Sequence, residues 1–225
     1  MRILALDAAL ARCCAGVVVD ETLRAARYGA AQRGGGAMLP VLAQESLAEA
    51  ALGVTDLDAI AVVIGPGSFT GIRLALSLAH GLALGAGIPV IGVTVGEALA
   101  QSLPHLGGRE LWVATDSRRG RIFLEHAGTL EHVGTIESLA LTDLADPRHG
   151  VAIAGDGAIA VAARLAARGC NVMLTSARLP LPRHIALAAI ARHIGALPPR
   201  AAQPLYIDPP EAKPQAGGLR PAPLA

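Results

Sequence analysis

Ile64-Gly-Pro-Gly-Ser-Phe-Thr-Gly-Ile-Arg73 is the stretch whose reading decides the fold. Just upstream, Ile60-Ala-Val-Val-Ile64 is the β-branched run of a buried strand. Just downstream, Phe69 to Leu84 reads as a helix, apolar almost all round, with a thin polar stripe of Thr70, Arg73, Ser77 and His80. The glycines between them allow a sharp turn and a close backbone approach. Ser68 or Thr70 is placed to cap the helix. Two readings of the turn stay open. It joins strand to helix and nothing more, or its N–H groups and the helix dipole hold a phosphate. It is not a Walker loop, because the Lys-Ser/Thr pair is missing, and it lacks the acidic partner of a dinucleotide fingerprint. The phosphate reading involves Asp7, Gly65, Gly67, Ser68, Thr70 and Gly71, since Asp7 closes the first apolar run where open α/β sheets bind ligands.

Working outward, residues 1–7, 14–19 and 22–30 read as three consecutive strands, and Met38 to Leu52 as a helix with Pro40 tolerable in its first turn. Both long sides of that helix look apolar: Met38, Val41, Leu42 and Ala48 on one, Leu39, Ala43, Leu47 and Ala50 on the other. Val90–Val93 is the next strand, and Gly96–Ser102 opens a further helix. The order βββ then αβαβα predicts an α/β fold, a mixed sheet covered on both faces by crossover helices. After Pro104-His-Leu-Gly-Gly108 a second set begins. Leu111–Ala114 and Ile122–His126 flank the hairpin Asp116-Ser-Arg-Arg-Gly120. A strand at Val151–Ala154, a helix at Ala158–Arg168, a strand at Val172–Leu174 and a helix at His184–Ile194 follow. The second half is a looser copy of the first. It predicts lobes at 1–103 and 109–195, the last helix free to pack back on the first lobe, and a Pro-rich extended tail at 196–225.

Composition excludes several classes. With 52% hydrophobic and 16% charged residues, the 225-residue chain is no disordered protein. A net charge of +1 and 2% aromatics give no basic, base-stacking surface for nucleic acid. Three cysteines, Cys13, Cys14 and Cys170, make a poor disulfide framework and suit a reduced, cytoplasmic chain. The charge-free stretch between Arg73 and Glu97 is long enough to span a membrane, but Gly85-Ala-Gly-Ile-Pro89 interrupts it, so helix, turn and strand are expected and no membrane partner. The histidines are scattered and no Cys has metal-ligand spacing, so no metal site is expected. No GxSxG elbow is present. Arg118, Arg119 and Arg121 at a hairpin tip are a solvated turn or a contact to RNA or protein.

The two long helices carry more apolar surface than one sheet covers, and either they cover each other or another chain does. The residues of an expected docking stripe, given the resemblance described next, are Met38, Val41, Leu42, Ile72, Leu76 and Ala79, edged by Arg73, Ser77 and His80.

At Gly65-Pro-Gly-Ser-Phe-Thr-Gly-Ile-Arg73, Gly81-Leu-Ala83, Ile88-Pro-Val-Ile-Gly-Val93 and Ile3-Leu-Ala-Leu-Asp7 the chain resembles the TsaB (YeaZ) family. Asp116-Ser-Arg-Arg-Gly120 is similar to its second-lobe hairpin, and Pro204 to Gln215 to the C-terminal segment of some members. The resemblance implies two RNase H-like lobes of the actin-like, Hsp70-like, sugar-kinase ATPase fold. It implies a non-catalytic scaffold subunit in threonylcarbamoyl transfer to the adenosine beside the anticodon of tRNAs reading A-starting codons. The partners implied are a TsaD-like catalytic subunit, docked on the first-lobe helices, and a TsaE-like ATPase. ATP, Mg and metal belong to those subunits, with no cofactor intrinsic to this chain, and tRNA is met only through the complex. Alone, two states stay open: a monomer, or a homodimer paired through the same stripe. Two departures point away from intrinsic nucleotide chemistry: the turn after Asp7 is Ala8-Ala9-Leu10, without a hydroxyl, and Arg33-Gly-Gly-Gly-Ala37 replaces a His-containing segment. The rivals are an ATPase or kinase of the same fold acting by itself, and a glycoprotease-like peptidase, for which no nucleophile–base–orienter set is visible.

Overall fold

Two apolar strands without a polar face sit at the centre of the first lobe. The structure, a computed structural model, describes residues 1–30, 38–103, 105–127 and 135–208. The Arg33–Ala37 departure and tail residues 209–225 lie outside the described residues. β1 (Arg2–Asp7) and β4 (Ala59–Gly65) are buried on both faces and pair in parallel, Leu4 opposite Ile60. β2 (Arg12–Val19) runs antiparallel to β1, β3 (Thr22–Ala30) forms one edge and β5 (Val90–Thr94) the other, giving the order β3-β2-β1-β4-β5.

α1 (Leu39–Glu49) carries the chain from β3 to β4, and α2 (Phe69–Ala86) from β4 to β5. Both crossovers move the same way across the sheet, so right-handed connection puts both helices on one face. After α3 (Val95–Ala100) the opposite face is covered from far along the chain, by α5 (Pro182–His193). Gly16 of β2 lies beneath Pro182, whereas the Cys13 side of the strand lies toward Leu42 of α1. Positions 13 and 16 point to opposite faces of a strand, which places α1 and α5 on opposite sides.

The second lobe repeats the plan in the order β10-β9-β6-β7-β8, with β6 (Glu110–Asp116), β7 (Ile122–Ala127), β8 (Ile136–Leu139), β9 (Val151–Ala154) and β10 (Val172–Leu174). Strand by strand the two sheets share one topology, 3-2-1-4-5, so the chain has the two RNase H-like lobes of the actin-like fold class. β8 is the element that sequence reading passes over: four residues, Ile-Glu-Ser-Leu, carry too little pattern. α4 (Ala158–Ala166) covers one face of this sheet, over Trp112, Ala114 and Leu124. The other face, with Leu111, Val113, Ala152 and Ala154, joins the core of the first lobe, so the two lobes share one continuous core.

Four residues of the expected exposed stripe are buried instead. Ile72, Leu76 and Ala79 lie with Ala75 and Ala83 on the face of α2 that meets the sheet, and Leu42 lies with Leu39, Ala43 and Leu47 on that of α1. The spacing 72, 75/76, 79, 83 is one helical face, and the sheet covers it. Met38 and Val41 of the same expectation are exposed, as are Arg73, Ser77 and His80. Phe69, 51% exposed, and Leu84, 87% exposed, extend that outer surface. Among the described residues α2 is the one helix long and apolar enough to cross a membrane by length and composition. It is bounded by a Ser68 cap, whose hydroxyl accepts from Gly71 N–H at 3.2 Å, and by a left-handed Gly87.

Candidate functional site

The turn after β4 and the turn after β1 meet at the carboxyl ends of the strands. Asp7 is buried, and its Oδ1 accepts the Ala9 N–H at 2.8 Å. Burial pushes its carboxyl up to about 7, against the opposing pull of that N–H and of Arg12. The Ser68 N–H donates to the Ala9 carbonyl at 2.7 Å. Gly67 has φ +154°, and a Cβ there would overlap the Ala9 carbonyl; a Cβ on Gly71 would overlap that of Ala8. The structure thus brings together Asp7, Gly65, Gly67, Ser68 and Gly71, while the Thr70 side chain is exposed and Ser68, not Thr70, caps the helix.

The glycines serve a close backbone approach: Gly67 lies against the Ala9 carbonyl and Gly71 against that of Ala8. Of the first N–H groups around the cap, those of Ser68, Gly71 and Ile72 are already bonded, to Ala9, the Ser68 hydroxyl and the Ser68 carbonyl. Among the described residues no three His, Cys, Asp or Glu side chains group as metal ligands do.

The second lobe holds the counterpart of Asp7. Asp116 ends β6, the strand equivalent to β1, and its Oδ1 accepts Arg118 N–H, again two residues on and again at 2.8 Å. Here the hairpin is hydrophilic. Arg118 bridges to Asp156 at 3.3 Å, and the Arg121 Nε donates to the Ser138 hydroxyl at 2.8 Å. Two arginines of the tip are thereby engaged within the lobe.

A buried polar junction joins the lobes. The Thr94 hydroxyl donates to Glu125 Oε1 at 2.5 Å, and Gly96 N–H to Oε2 at 2.8 Å. Burial is the main force that raises Glu125 to about 7, with Glu97 adding to it and Thr94, Gly96 and Arg200 opposing it. Arg192 of α5 is buried, pairs with Glu97 at 2.5 Å, and donates to the Gly92 and Pro198 carbonyls. Sequence reading missed this junction. The available signal was a lone acid in the apolar run Ile122-Phe-Leu-Glu-His126.

The tail lies over the same strand ends. Leu205 N–H donates to the Ile64 carbonyl at 2.9 Å, and the Leu205 side chain covers Gly65. The Tyr206 hydroxyl accepts from Arg73 at 2.9 Å and 2.6 Å, and the Arg73 guanidinium stacks 3.5 Å from the Phe69 ring centre. His80 Nε2 is 2.8 Å from the Ala202 carbonyl. Arg73 and His80, read as edges of a docking stripe, are therefore held by the chain's own C-terminal segment.

A family described as TsaD: tRNA N6-adenosine threonylcarbamoyltransferase matches residues 30–190. The chain is 36% identical over 124 residues to the tRNA threonylcarbamoyladenosine biosynthesis protein TsaB of Escherichia coli K12, covering 55% of this chain and 53% of that protein. It is 41% identical over 87 residues to the protein of the same description from Haemophilus influenzae, covering 38% and 36%. The chain thus spans about half or less of the curated relatives it matches. The solved structure of YeaZ from Pseudomonas aeruginosa superposes with a TM-score of 0.72 at 24% identity, covering 91% of this chain and 99% of that one, a likeness of fold. With most of its length inside that family match and its two-lobed fold shared with YeaZ, the chain belongs to the tRNA threonylcarbamoyltransferase family and is of the TsaB (YeaZ) type.

Proposed function

We propose that this chain is a non-catalytic docking subunit in the making of threonylcarbamoyladenosine on tRNA. A TsaD-like partner carries out the transfer to the adenosine beside the anticodon of tRNAs reading A-starting codons. The observation that supports the reading is the turn itself: Gly67 and Gly71 pack on Ala8 and Ala9, a turn that carries no hydroxyl to hold a phosphate. A subunit without such chemistry acts by binding. The outer surface of α1 and α2, with Met38, Val41, Phe69, Arg73, Ser77, His80 and Leu84, is the face we assign to the catalytic partner. Half-exposed large apolar groups beside an arginine are the composition of interface anchors. A TsaE-like ATPase joins the pair, the complex is cytoplasmic, tRNA is met through the partner, and ATP, Mg and any metal reside on the other subunits.

The test is co-purification with the TsaD-like subunit, combined with an ATPase assay of the isolated chain. Stable association without turnover is expected. Metal-dependent ATP hydrolysis that survives purification and is lost on Asp7→Asn would overturn the reading in favour of an autonomous ATPase or kinase.

A further inference from the structure

Residues 198–206 are irregular chain, bent at Ala202 and Gln203, held by scattered contacts and not by a strand ladder. Among the described residues, a single backbone-to-backbone bond, Leu205 to Ile64, ties residues 199–206 to the rest. Side chains add the Arg73–Tyr206, His80–Ala202, Arg192–Pro198 and Arg200–Glu97 bonds. An open cleft of about 560 Å³ remains between residues 201–203, the second half of α2 and the start of β5, lined by His80, Ala83, Leu84, Ile88 and Val90. The cleft is a surface groove. Beside it Ala202 and Leu205 pack against the first-lobe core, and a Cβ on Gly92 would press on the backbone of Ala201 and Ala202, so the segment is seated by side-chain and van der Waals contact with little backbone pairing. It grips α2 at Arg73 and His80, two positions of the outward stripe, seven residues apart.

We propose that residues 198–206 form a displaceable strap that regulates access to α2. The proposal rests on the docking reading above. Seated, the strap occupies the Arg73 guanidinium with the Tyr206 hydroxyl, a neutral acceptor, and lies across the His80 end of the stripe. Lifted, it frees the Arg73 fork for a carboxylate, which holds a guanidinium better than a phenol does. The occupant that fits is a helical face of the catalytic partner carrying an acidic residue opposite Arg73. Partner and strap therefore compete, and apparent affinity scales with the fraction of molecules whose strap is lifted.

The experiment compares the full chain with Tyr206→Ala for binding to the purified catalytic subunit, and follows amide exchange at Leu205 in the wild type. A strap seated nine-tenths of the time gives roughly tenfold tighter binding when released. Tyr206→Ala is expected to bind tighter on that scale with unchanged melting, and Leu205 is expected to exchange faster in the complex. Leu205→Pro, which deletes the N–H of the single backbone bond, must act in the same direction. Equal or weaker binding by both variants, or slower exchange at Leu205 in the complex, overturns the strap and leaves docking intact. Absence of binding by wild type and variants alike overturns the docking reading, and the strap with it.

Discussion

Gly71 lies in the first turn of α2, where an ordinary side chain suits the backbone, yet a Cβ would overlap the Ala8 carbonyl. Gly67 carries the same steric demand and a positive φ as well. Backbone is a rigid obstacle, so Gly71→Val and Gly67→Val are expected to cost about 2–4 kcal/mol. Thermal melting checks this, and unchanged melting with a selective loss of nucleotide binding would contradict the closed turn. The buried acids make a second prediction. Asp7 and Glu125 are held near 7, far above unfolded carboxylates at about 4, so the folded chain binds more protons across that window. Their protonation favours the fold fully below about pH 4, and that stabilisation is lost as pH rises towards 7, levelling off above it. Each of these two groups tilts stability downward by about 3–4 kcal/mol at most between about pH 4 and 7. Urea melts at pH 5 and pH 8 check the slope, which is expected to flatten in Glu125→Gln.

Neighbouring positions on α2 separate core from surface. Leu76 is 4% exposed, and Leu76→Glu buries a carboxylate without a partner, so loss of the folded state is expected. Ser77 faces outward, and Ser77→Glu is expected to leave melting unchanged while weakening the catalytic partner at least tenfold in a pull-down titration. The contrast shows where sequence reading succeeds and where it stops. The strand Ile60–Ile64, the turn and the helix were legible because apolar run, glycines and cap residue agree. The rotation of the helix was not, because Leu74, Leu78 and Leu82 are as apolar as Ile72, Leu76 and Ala79, and a helix apolar all round has almost no direction. The strap was illegible for another reason: Pro198 to Tyr206 has no period, and its contacts to α2 are made to residues more than a hundred positions away.

At the scale of the molecule, Glu125 of the second sheet is bonded to Thr94 and Gly96 of the first lobe, and Arg192 ties α5 to Gly92 and Glu97 beside it. Arg192→Ala leaves Glu97 with the more distant Arg200 and strips the Gly92 and Pro198 carbonyls of a donor. A loss of about 3–5 kcal/mol is expected, as for a broken buried ion pair. Calorimetry is expected to show one transition for the wild type, since the lobes share a core, and a broadened or split one for the variant. The duplicated topology was legible from the repeated order of strands and helices. The junction was not, because it pairs residues from both halves.

The return of α5 to the first sheet has a consequence for the chain as it leaves the ribosome. Ile185, Ala186, Ala188 and Ala189 supply buried cover for strands that begin at residue 2. Translation adds about 5–20 residues per second, so those strands exist for roughly ten seconds or more before their cover is made. During that interval an apolar sheet face stands open in the nascent lobe. It is a surface for a chaperone, and its exposure ends when α5 emerges.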